Sequence, residues 1–394
     1  MDEEAYVLLL STSKINLERR YILKSSKKII ICMLLIVVSI ISLTLINTNT
    51  NTNTNTNTNK TLNYKGSTIA LTIDGNSATS FPTSGKYNVT VNCNNAKGRW
   101  NPKTWKLEIT KITGTVTCDV SFNSSVTNLT TQVNNKATRN EKGKRYQGKN
   151  PNNYIWFNDE LWRIIGNIPV CLTSGCVATQ NRVKIIRNDS IGAIVFNQTY
   201  YNSSSPLTWM RSNIQNLLNS CYLGKKSSCD SYCYSHITKA KGTCDYSSDG
   251  IDTADYYGKM VEDVYFNVGA GDETYKTASN YYTQEIATHA TSTSKIGLMY
   301  ASDWGYAIEG FTGLLGRSGS PQNSSDKNWL MSNGNEWTMS AYSSSCPLYA
   351  FNNGYLSFNQ AVSGNSIRPV LYLKSNVYVV SGTGTKVDPY RIGM

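Results

Sequence analysis

One long apolar run stands near the start of the chain. Residues 29–46 read IIICMLLIVVSIISLTLI, eighteen positions without a charge or a proline. As an α-helix this run would be about 27 Å long, close to the ~30 Å hydrocarbon core of a bilayer. Five basic residues precede it, namely Arg19, Arg20, Lys24, Lys27 and Lys28, whereas no charge follows until Lys60. The positive-inside rule therefore predicts a single-pass anchor at 29–46, a cytoplasmic tail at 1–28 and an extracellular C-terminal bulk.

A cleaved signal peptide is the alternative interpretation of the same run. The uncleaved anchor is favoured because the preceding region is 28 residues long and no small-residue cleavage site follows Ile46. Residues 47–60 then consist almost wholly of an Asn-Thr alternation. Such a segment has no apolar side chain to bury, so it is interpreted as a tether.

Alternating β-type runs continue to residue 124. They cover 67–74, 87–92, 105–110 and 115–122, with turn signals such as Asp74-Gly75 between them. We predict a small antiparallel β-module at 61–124. Cys93 and Cys118 fall at or within two of its strands, so a disulfide between them would close a loop of about 25 residues and stabilise the module by roughly 3 kcal/mol. Residues 125–150 are polar and basic and are predicted to form a linker.

The remaining residues, 151–394, read as one larger domain in which strand patterns dominate. Runs such as RVKIIR, AIVFNQ and RPVLYLK are β-like, whereas helical spacing is found at 207–223 and more loosely at 278–289. The fold class expected for the whole extracellular part is therefore α+β, mostly β.

Positive charge is concentrated close to the predicted membrane. Residues 60–150 carry 14 Lys and Arg against 4 Asp and Glu, whereas residues 151–394 carry 18 of each. Attraction to an anionic cell-wall polymer would explain the excess, and merely solvated basic loops are the alternative. Nucleic acid is not an expected partner, because the basic run does not interleave with aromatic residues as a recognised binding module would.

Nine cysteines lie beyond the predicted anchor, and an odd number cannot all pair within one chain. Disulfides are the default outside a cell, and the tight loop LTSG suggests a Cys171–Cys176 bridge. The pairing of Cys221, Cys229, Cys233 and Cys244 is left open, as is the partner of Cys346. A metal site made from Cys229, Cys233, His236 and Cys244 lacks the paired short spacings that structural zinc favours, so neither a metal nor a cofactor is expected.

Catalytic patterns are sparse. His236 and His289 are the only histidines, and the chain has no phosphate-binding glycine loop, no G-x-S-x-G and no H-E-x-x-H. Asp303 and Glu336 stand beside Trp304 and Trp337, a setting that can tune a carboxyl for acid catalysis on sugars. Such carboxylates more often accept hydrogen bonds from loop backbone, so we do not expect an enzyme.

Tyrosine is abundant, with 26 Tyr against 8 Phe, as on binding surfaces that face water. The segment 329–369 concentrates Tyr, Asn and Ser, the mixture that gives recognition loops rigid contact area and adaptable hydrogen bonding. The residues predicted to contact a ligand are Tyr342, Tyr349, Phe351, Asn352, Asn353, Tyr355 and Asn359. The alternative is that alternate aromatic residues of this segment fill the core.

The same region resembles a known family. The runs IGLMYASDWGYA, NWLMS, NEWTMS and SIRPVLYLK are similar to the C-terminal half of surface domains from gut-type Gram-positive bacteria. Those domains share a C-type-lectin-like, formylglycine-generating-enzyme-like architecture, in which a Trp-Leu motif precedes variable loops and a G-[VFI]-R-P strand closes the domain. Trp329 and Leu330 match the first motif and 367–369 the second, although Ser366 replaces its glycine.

The resemblance implies ligand display on a β scaffold. Oxidase members of the fold need a pair of active cysteines near the C-terminus, and no cysteine follows Cys346. We therefore expect a membrane-anchored surface protein that recognises a glycan or a protein without catalysis. An envelope-modifying enzyme and a structural component of the envelope or an appendage are the alternatives.

Overall fold

A computed structural model describes residues 61–64, 67–199, 208–236, 239–240, 244–317 and 326–394. The predicted cytoplasmic tail, anchor and tether lie outside these residues. No helix within the described ranges is both long enough and apolar enough to cross a bilayer. The described chain divides into two compact units, the first made of 61–83, 91–99 and 106–121 and the second of 84–90, 100–105 and 122–394.

The N-terminal strands are β1 (Thr61–Tyr64), β2 (Ser67–Ile73), β3 (Asn76–Ser77), β4 (Asn88–Cys93), β5 (Lys97–Asn101), β6 (Lys106–Thr110) and β7 (Thr117–Asn123). One sheet has the order β1-β2-β7-β4, with β3 paired to β2, and β5 pairs only with β6. Strand β7 alternates strictly between exposed and buried residues, so Cys118, Val120 and Phe122 point to one buried face. The four strands predicted here are confirmed to within two residues at either end.

The later strands are β8 (Thr127–Asn128), β9 (Arg139–Asn140), β10 (Lys144–Arg145), β11 (Tyr154–Phe157), β12 (Glu160–Cys171), β13 (Thr179–Arg187), β14 (Ala193–Val195), β15 (Tyr234–His236), β16 (Lys239–Ala240), β17 (Ile296–Gly297), β18 (Glu336–Ala341), β19 (Pro347–Phe351), β20 (Tyr355–Phe358), β21 (Gly364–Ser366), β22 (Val370–Leu373), β23 (Tyr378–Ser381) and β24 (Arg391–Gly393). The α-helices are α1 (Leu129–Lys136), α2 (Asn213–Asn216), α3 (Ala278–Glu285) and α4 (Ala301–Tyr306). Short 3₁₀ turns cover Ser174–Cys176, Trp209–Arg211, Asp230–Tyr232 and Gly258–Met260. The expected α+β, mostly β composition is thereby confirmed.

Two larger sheets organise the second unit. A seven-stranded sheet has the order β17-β22-β13-β12-β10-β9, with β11 also paired to β12, and a five-stranded sheet has the order β14-β21-β18-β19-β20. Strand β12 is buried along most of its length, and Trp162 and Ile164 are fully inaccessible. The near-continuous apolar run of this strand is typical of a strand covered on both faces.

Residues 125–150, predicted as a basic linker, instead contain regular structure. Leu129 and Val133 are four residues apart on α1 and both are fully buried. Asn128 caps this helix by accepting a 2.8 Å hydrogen bond from the Thr130 amide. Strand β10 then joins the seven-stranded sheet next to β12. The linker prediction was wrong because it rested on the polar, basic composition of the segment and overlooked the i, i+4 spacing of Leu129 and Val133.

The predicted helix at 207–223 is interrupted in its described part. A 3₁₀ turn ends at Arg211, Ser212 is extended, and α2 is followed by a π-helical turn at Leu217–Tyr222. The Ser212 hydroxyl accepts a hydrogen bond from the Gln215 amide at 3.1 Å, so this serine starts a new helix instead of continuing the old one. The helical spacing predicted one apolar face made of Met210, Ile214, Leu217 and Leu218. Ile214, Leu217 and Leu218 are indeed buried, and Met210 is half-buried.

Four disulfides join the described cysteines except Cys346. The predicted Cys93–Cys118 and Cys171–Cys176 bridges are both present. The pairing left open by the sequence is Cys221–Cys229 and Cys233–Cys244. These last two bridges use all the cysteines of the alternative zinc site; the side chain of His236 lies outside the described part of the chain.

Candidate functional site

The segment predicted to contact a ligand folds into the antiparallel strands β18, β19 and β20. Tyr349 lies opposite both Trp337 on β18 and Ser357 on β20, and Phe351 lies opposite Tyr355. The turn between β19 and β20 uses Gly354, whose φ of 95° is available to glycine at little cost. The strands thus separate two groups of residues at opposite ends of the β19–β20 hairpin.

The predicted contact residues are divided between those two ends. The turn end carries Phe351, Asn352, Asn353 and Tyr355, of which both asparagines are exposed and Tyr355 is half-buried. The side chain of Phe351 lies outside what the structure describes. The opposite end carries Tyr342 and Asn359, both half-buried. The structure therefore does not gather the seven residues into one patch.

Tyr349 sits between the ends and is only 8% exposed. Its ring packs edge-on against Trp337 with centroids 5.9 Å apart, and Trp337 in turn packs against Phe196. The Trp337 indole donates a 2.9 Å hydrogen bond to the Ile194 carbonyl. Tyr349 is therefore part of the core at this position, as the core-filling interpretation of the segment expects.

An accessible aromatic cluster lies at the end opposite the turn. The rings of Tyr342 and Phe358 are parallel within 6° and their centroids are 4.1 Å apart. Phe358 is 42% exposed, and Tyr275 packs against Tyr342 at 5.3 Å. We call Tyr275, Tyr342 and Phe358 the aromatic platform. Burial raises the pKa of Tyr275 despite a hydrogen bond with Ser357, so its phenol remains protonated near neutral pH.

The carboxylate of Asp303 lies at the centre of a buried ionic cluster. Its Oδ1 accepts a 2.7 Å hydrogen bond from Arg145 Nη1, and its Oδ2 accepts one of 2.5 Å from Lys184 Nζ. Tyr300 also donates its amide to Oδ2 at 3.0 Å, which caps α4. Burial alone would raise the pKa of Asp303, but the charges of Lys184 and Arg145 outweigh it and hold the pKa below its ordinary value. This carboxylate is therefore not set up as a proton donor.

Glu285 is the second carboxylate of this buried region. It accepts hydrogen bonds from the Ser302 amide at 3.1 Å and from the hydroxyls of Ser302 and Ser340, both at 2.5 Å. Burial raises the pKa of Glu285, although the serine donors oppose the shift. The pKa of Asp303 is therefore lowered and that of Glu285 is raised, although both carboxylates lie in the same core.

Glu336 forms a buried ion pair with Arg368, separate from the two that Asp303 makes with Arg145 and Lys184. Arg368 Nε donates to its two oxygens at 2.8 and 3.0 Å, and Arg368 Nη2 donates to the Leu330 carbonyl at 2.6 Å. The pair connects the Trp-Leu, N-E-W and R-P runs that carry the family resemblance. Both Glu336 and Arg368 are almost inaccessible to solvent, so their role in the structure is to fix these three segments together.

Sequence reasoning missed Tyr275, Phe358, Arg145 and Lys184. Tyr275 lies in a polar run. Tyr342 directly follows β18 and Phe358 ends β20, and both of these strands pair with β19, so only the sheet order reveals that the two rings are close. Arg145 and Lys184 are separated from Asp303 by 158 and 119 residues. The one local signal was Lys184 itself, a charge within the otherwise apolar run VKII.

Two further features bear on ligands. The first unit has a shallow groove of about 540 Å³, lined among others by Asn92, Asn94, Lys97 and Asp119. Since its lysine and aspartate balance, the groove itself is not a basic site. In the second unit, Cys171, Cys176 and His289 place one ligand atom each within 4.8 Å of one another.

No family model matches the chain, and searches of curated proteins and solved structures likewise found no match.

Proposed function

We propose that the chain is a membrane-anchored bacterial cell-surface protein whose larger, C-type-lectin-like domain binds glycans without catalysis. The observation that carries this proposal is the aromatic platform, where a 42%-exposed phenylalanine stacks on a half-buried tyrosine. The fold name rests on the resemblance of residues 150–375 to lectin-like surface domains. The position at the cell surface rests on the apolar run 29–46 and the charges before it.

The aromatic platform has the chemistry that sugars require. The C–H face of a pyranose packs well on an aromatic ring, and a nearby phenol supplies a hydrogen bond to a hydroxyl. Tyr342 and Tyr275 provide phenols beside the exposed Phe358 ring. Stacking of Phe358 on Tyr342 also fixes the ring before binding, which lowers the entropy lost on association.

The disulfides support placement in an oxidising compartment. Four bridges within the described residues are far more than a reduced cytosol usually maintains. The excess of Lys and Arg in 60–150 is proposed to hold the protein near anionic wall polymer, an attraction that weakens with salt. An envelope-modifying enzyme gains no support from Asp303 or Glu336, since both carboxylates are buried in ion pairs.

A glycan array probed with the detergent-solubilised full chain tests the proposal. We expect binding to be lost in Phe358→Ser and Tyr342→Ala and retained in Ile112→Ser. Ile112 is a matched control because it is an exposed apolar residue, 62% accessible, in the first unit. Equal glycan binding by the wild type and Phe358→Ser would reject the aromatic platform, and absence of glycan binding by the wild type would reject glycans as the ligand class.

A further inference from the structure

Cys171, Cys176 and His289 form a compact group on the second unit, which we call the Cys–His cluster. Their sulfur and imidazole nitrogen atoms lie within 4.8 Å of one another. Cys171 is the last residue of β12, and Cys176 follows after the four-residue loop LTSG. His289 comes from a segment more than a hundred residues away in sequence, so the fold brings the imidazole to the disulfide.

Backbone hydrogen bonds place the main chains of Cys171 and His289 beside one extended segment. Tyr265 donates its amide to the Cys171 carbonyl at 2.9 Å. Two residues further on, Asn267 pairs with His289 in an antiparallel bridge. The Ala290 amide donates to the Phe266 carbonyl and the Val268 amide to the Thr288 carbonyl, both at 2.8 Å. One extended segment, 265–268, therefore holds Cys171 on one side and His289 on the other.

The loop that carries Cys176 is open to solvent. Gly175 and Cys176 have φ values of 70° and 50°, and the following Val177 is 90% exposed. Cys176 itself is half-buried. By contrast, both sulfurs of Cys221–Cys229 and of Cys233–Cys244 belong to buried residues. A small thiol reductant can therefore approach Cys171–Cys176 more readily than these two bridges.

We propose that the Cys–His cluster is a redox-gated metal site, which binds Zn²⁺ or a similar thiophilic divalent cation once its disulfide is reduced. A small dithiol supplies the reductant: it gives two electrons and two protons, its own sulfurs become a disulfide, and the Cys171–Cys176 bond opens to two thiols. Zn²⁺ then binds the two sulfurs and the His289 imidazole, and the two thiol protons pass to solvent. In the oxidised state the sulfurs are bonded to each other and the site is closed.

Two sulfurs and one imidazole are ligands that zinc prefers. Zinc takes thiolates at about 2.3 Å and imidazole at about 2.0–2.1 Å in a tetrahedral arrangement, and sites with three protein ligands keep the fourth position for water. Such geometry needs ligand atoms roughly 3.5–4 Å apart. The present spread of up to 4.8 Å is close to this, and the loop containing Gly175 lets Cys176 move.

Metal titration of the reduced full chain tests the proposal. The chain is treated with a small dithiol, freed of reductant without air, and titrated with Co²⁺, whose thiolate complexes absorb in the near ultraviolet, and then with Zn²⁺ in competition. We expect thiolate-to-cobalt absorption at one Co²⁺ per chain, displaced by Zn²⁺. The chain with its disulfides intact should show no thiolate-to-cobalt absorption.

Three variants separate this site from other thiols. Cys171→Ser with Cys176→Ser should abolish the cobalt absorption, and His289→Ala should weaken binding at least about tenfold, since loss of even an outer-shell partner costs that much. Cys346→Ser should bind as the wild type does. Full absorption in the double serine variant, or unchanged affinity in His289→Ala, would overturn the proposal. Because the bridge closes only a short surface loop, unfolding curves should confirm that these variants keep the fold.

Discussion

Replacement of Asp303 by asparagine is the most direct test of the ionic cluster in the second unit. The aspartate lies between Arg145 and Lys184, whose nitrogens are 2.7 and 2.5 Å from its two oxygens. Lys184 is fully inaccessible and Arg145 is 1% exposed. Asparagine keeps the shape of the side chain and one acceptor oxygen, which can still accept the hydrogen bond of the Tyr300 amide at the start of α4. The substitution therefore removes the negative charge while leaving packing almost unchanged.

The expected cost follows from the two cations left behind. Breaking a buried ion pair from one side costs about 3–5 kcal/mol, because the remaining charge is uncompensated in a medium of low polarity. The rings of Tyr300 and Tyr372 lie 4.1 and 5.4 Å from Lys184 Nζ and offset part of this cost. We expect the free energy of unfolding at pH 7 to fall by about 3–5 kcal/mol.

Guanidinium unfolding followed by tryptophan fluorescence measures this change. All eight tryptophans lie in residues assigned to the second unit, so the signal reports that unit. Glu285→Gln is the matched control, because Glu285 is equally buried but accepts its hydrogen bonds from serines and an amide. The control should lose no more than about 1 kcal/mol, the typical value of one neutral hydrogen bond. A smaller loss for Asp303→Asn than for Glu285→Gln would refute the reasoning.

The pH dependence gives a second check with opposite signs for the two carboxylates. The pKa of Asp303 is lower in the folded chain than its ordinary value of 3.8, so its stabilisation is present above that pH and disappears as the pH falls through the folded pKa. The difference between the wild type and Asp303→Asn should shrink in acid. The pKa of Glu285 is raised above 4.5 by burial, so ionising it costs stability as the pH rises from that value. Glu285→Gln should gain relative to the wild type over the same rise.

Three further predictions concern other parts of the chain. Replacing Cys93 and Cys118 by serine should lower the stability of the first unit by roughly 3 kcal/mol, measured by circular dichroism on heating, and unchanged melting would contradict the contribution of the bridge. Iodoacetamide without reductant should label Cys346 and spare the eight paired cysteines in peptide mapping, since Cys346 is the free thiol among the described cysteines. Arg368→Lys should cost about 1–3 kcal/mol, because a lysine cannot contact both Glu336 oxygens and the Leu330 carbonyl together, and retention of full stability in urea would argue against this geometry.

Local patterns predicted the parts of the fold that depend on neighbouring residues. Alternation located β7, and the spacing of Cys171 and Cys176 suggested their bridge, because strand periodicity and short loops are properties of a few consecutive residues. The helix break at Ser212 also depends on neighbouring residues. It was not predicted because the apolar residues on both sides of Ser212 keep helical spacing across the break. By contrast, the aromatic platform depends on the pairing of both β18 and β20 with β19, and the partners of Asp303 come from distant strands. Their assembly is a property of the sheets, which no short window of sequence contains.

Three of the tyrosines have a role that the composition did not suggest. An excess of Tyr over Phe is typical of binding surfaces, yet Tyr300, Tyr306 and Tyr372 are buried beside cations. Lys184 lies over Tyr300 and Tyr372, and the Arg145 guanidinium lies 4.7 Å from the Tyr306 ring. Removing a cation from water costs free energy, and the attraction of the cation to an electron-rich ring offsets part of that cost. These tyrosines therefore help to stabilise the buried cations of the ionic cluster. Tyr342, half-buried in the aromatic platform, is placed differently, and this difference in burial is what separates a tyrosine that supports the core from one that is available to a ligand.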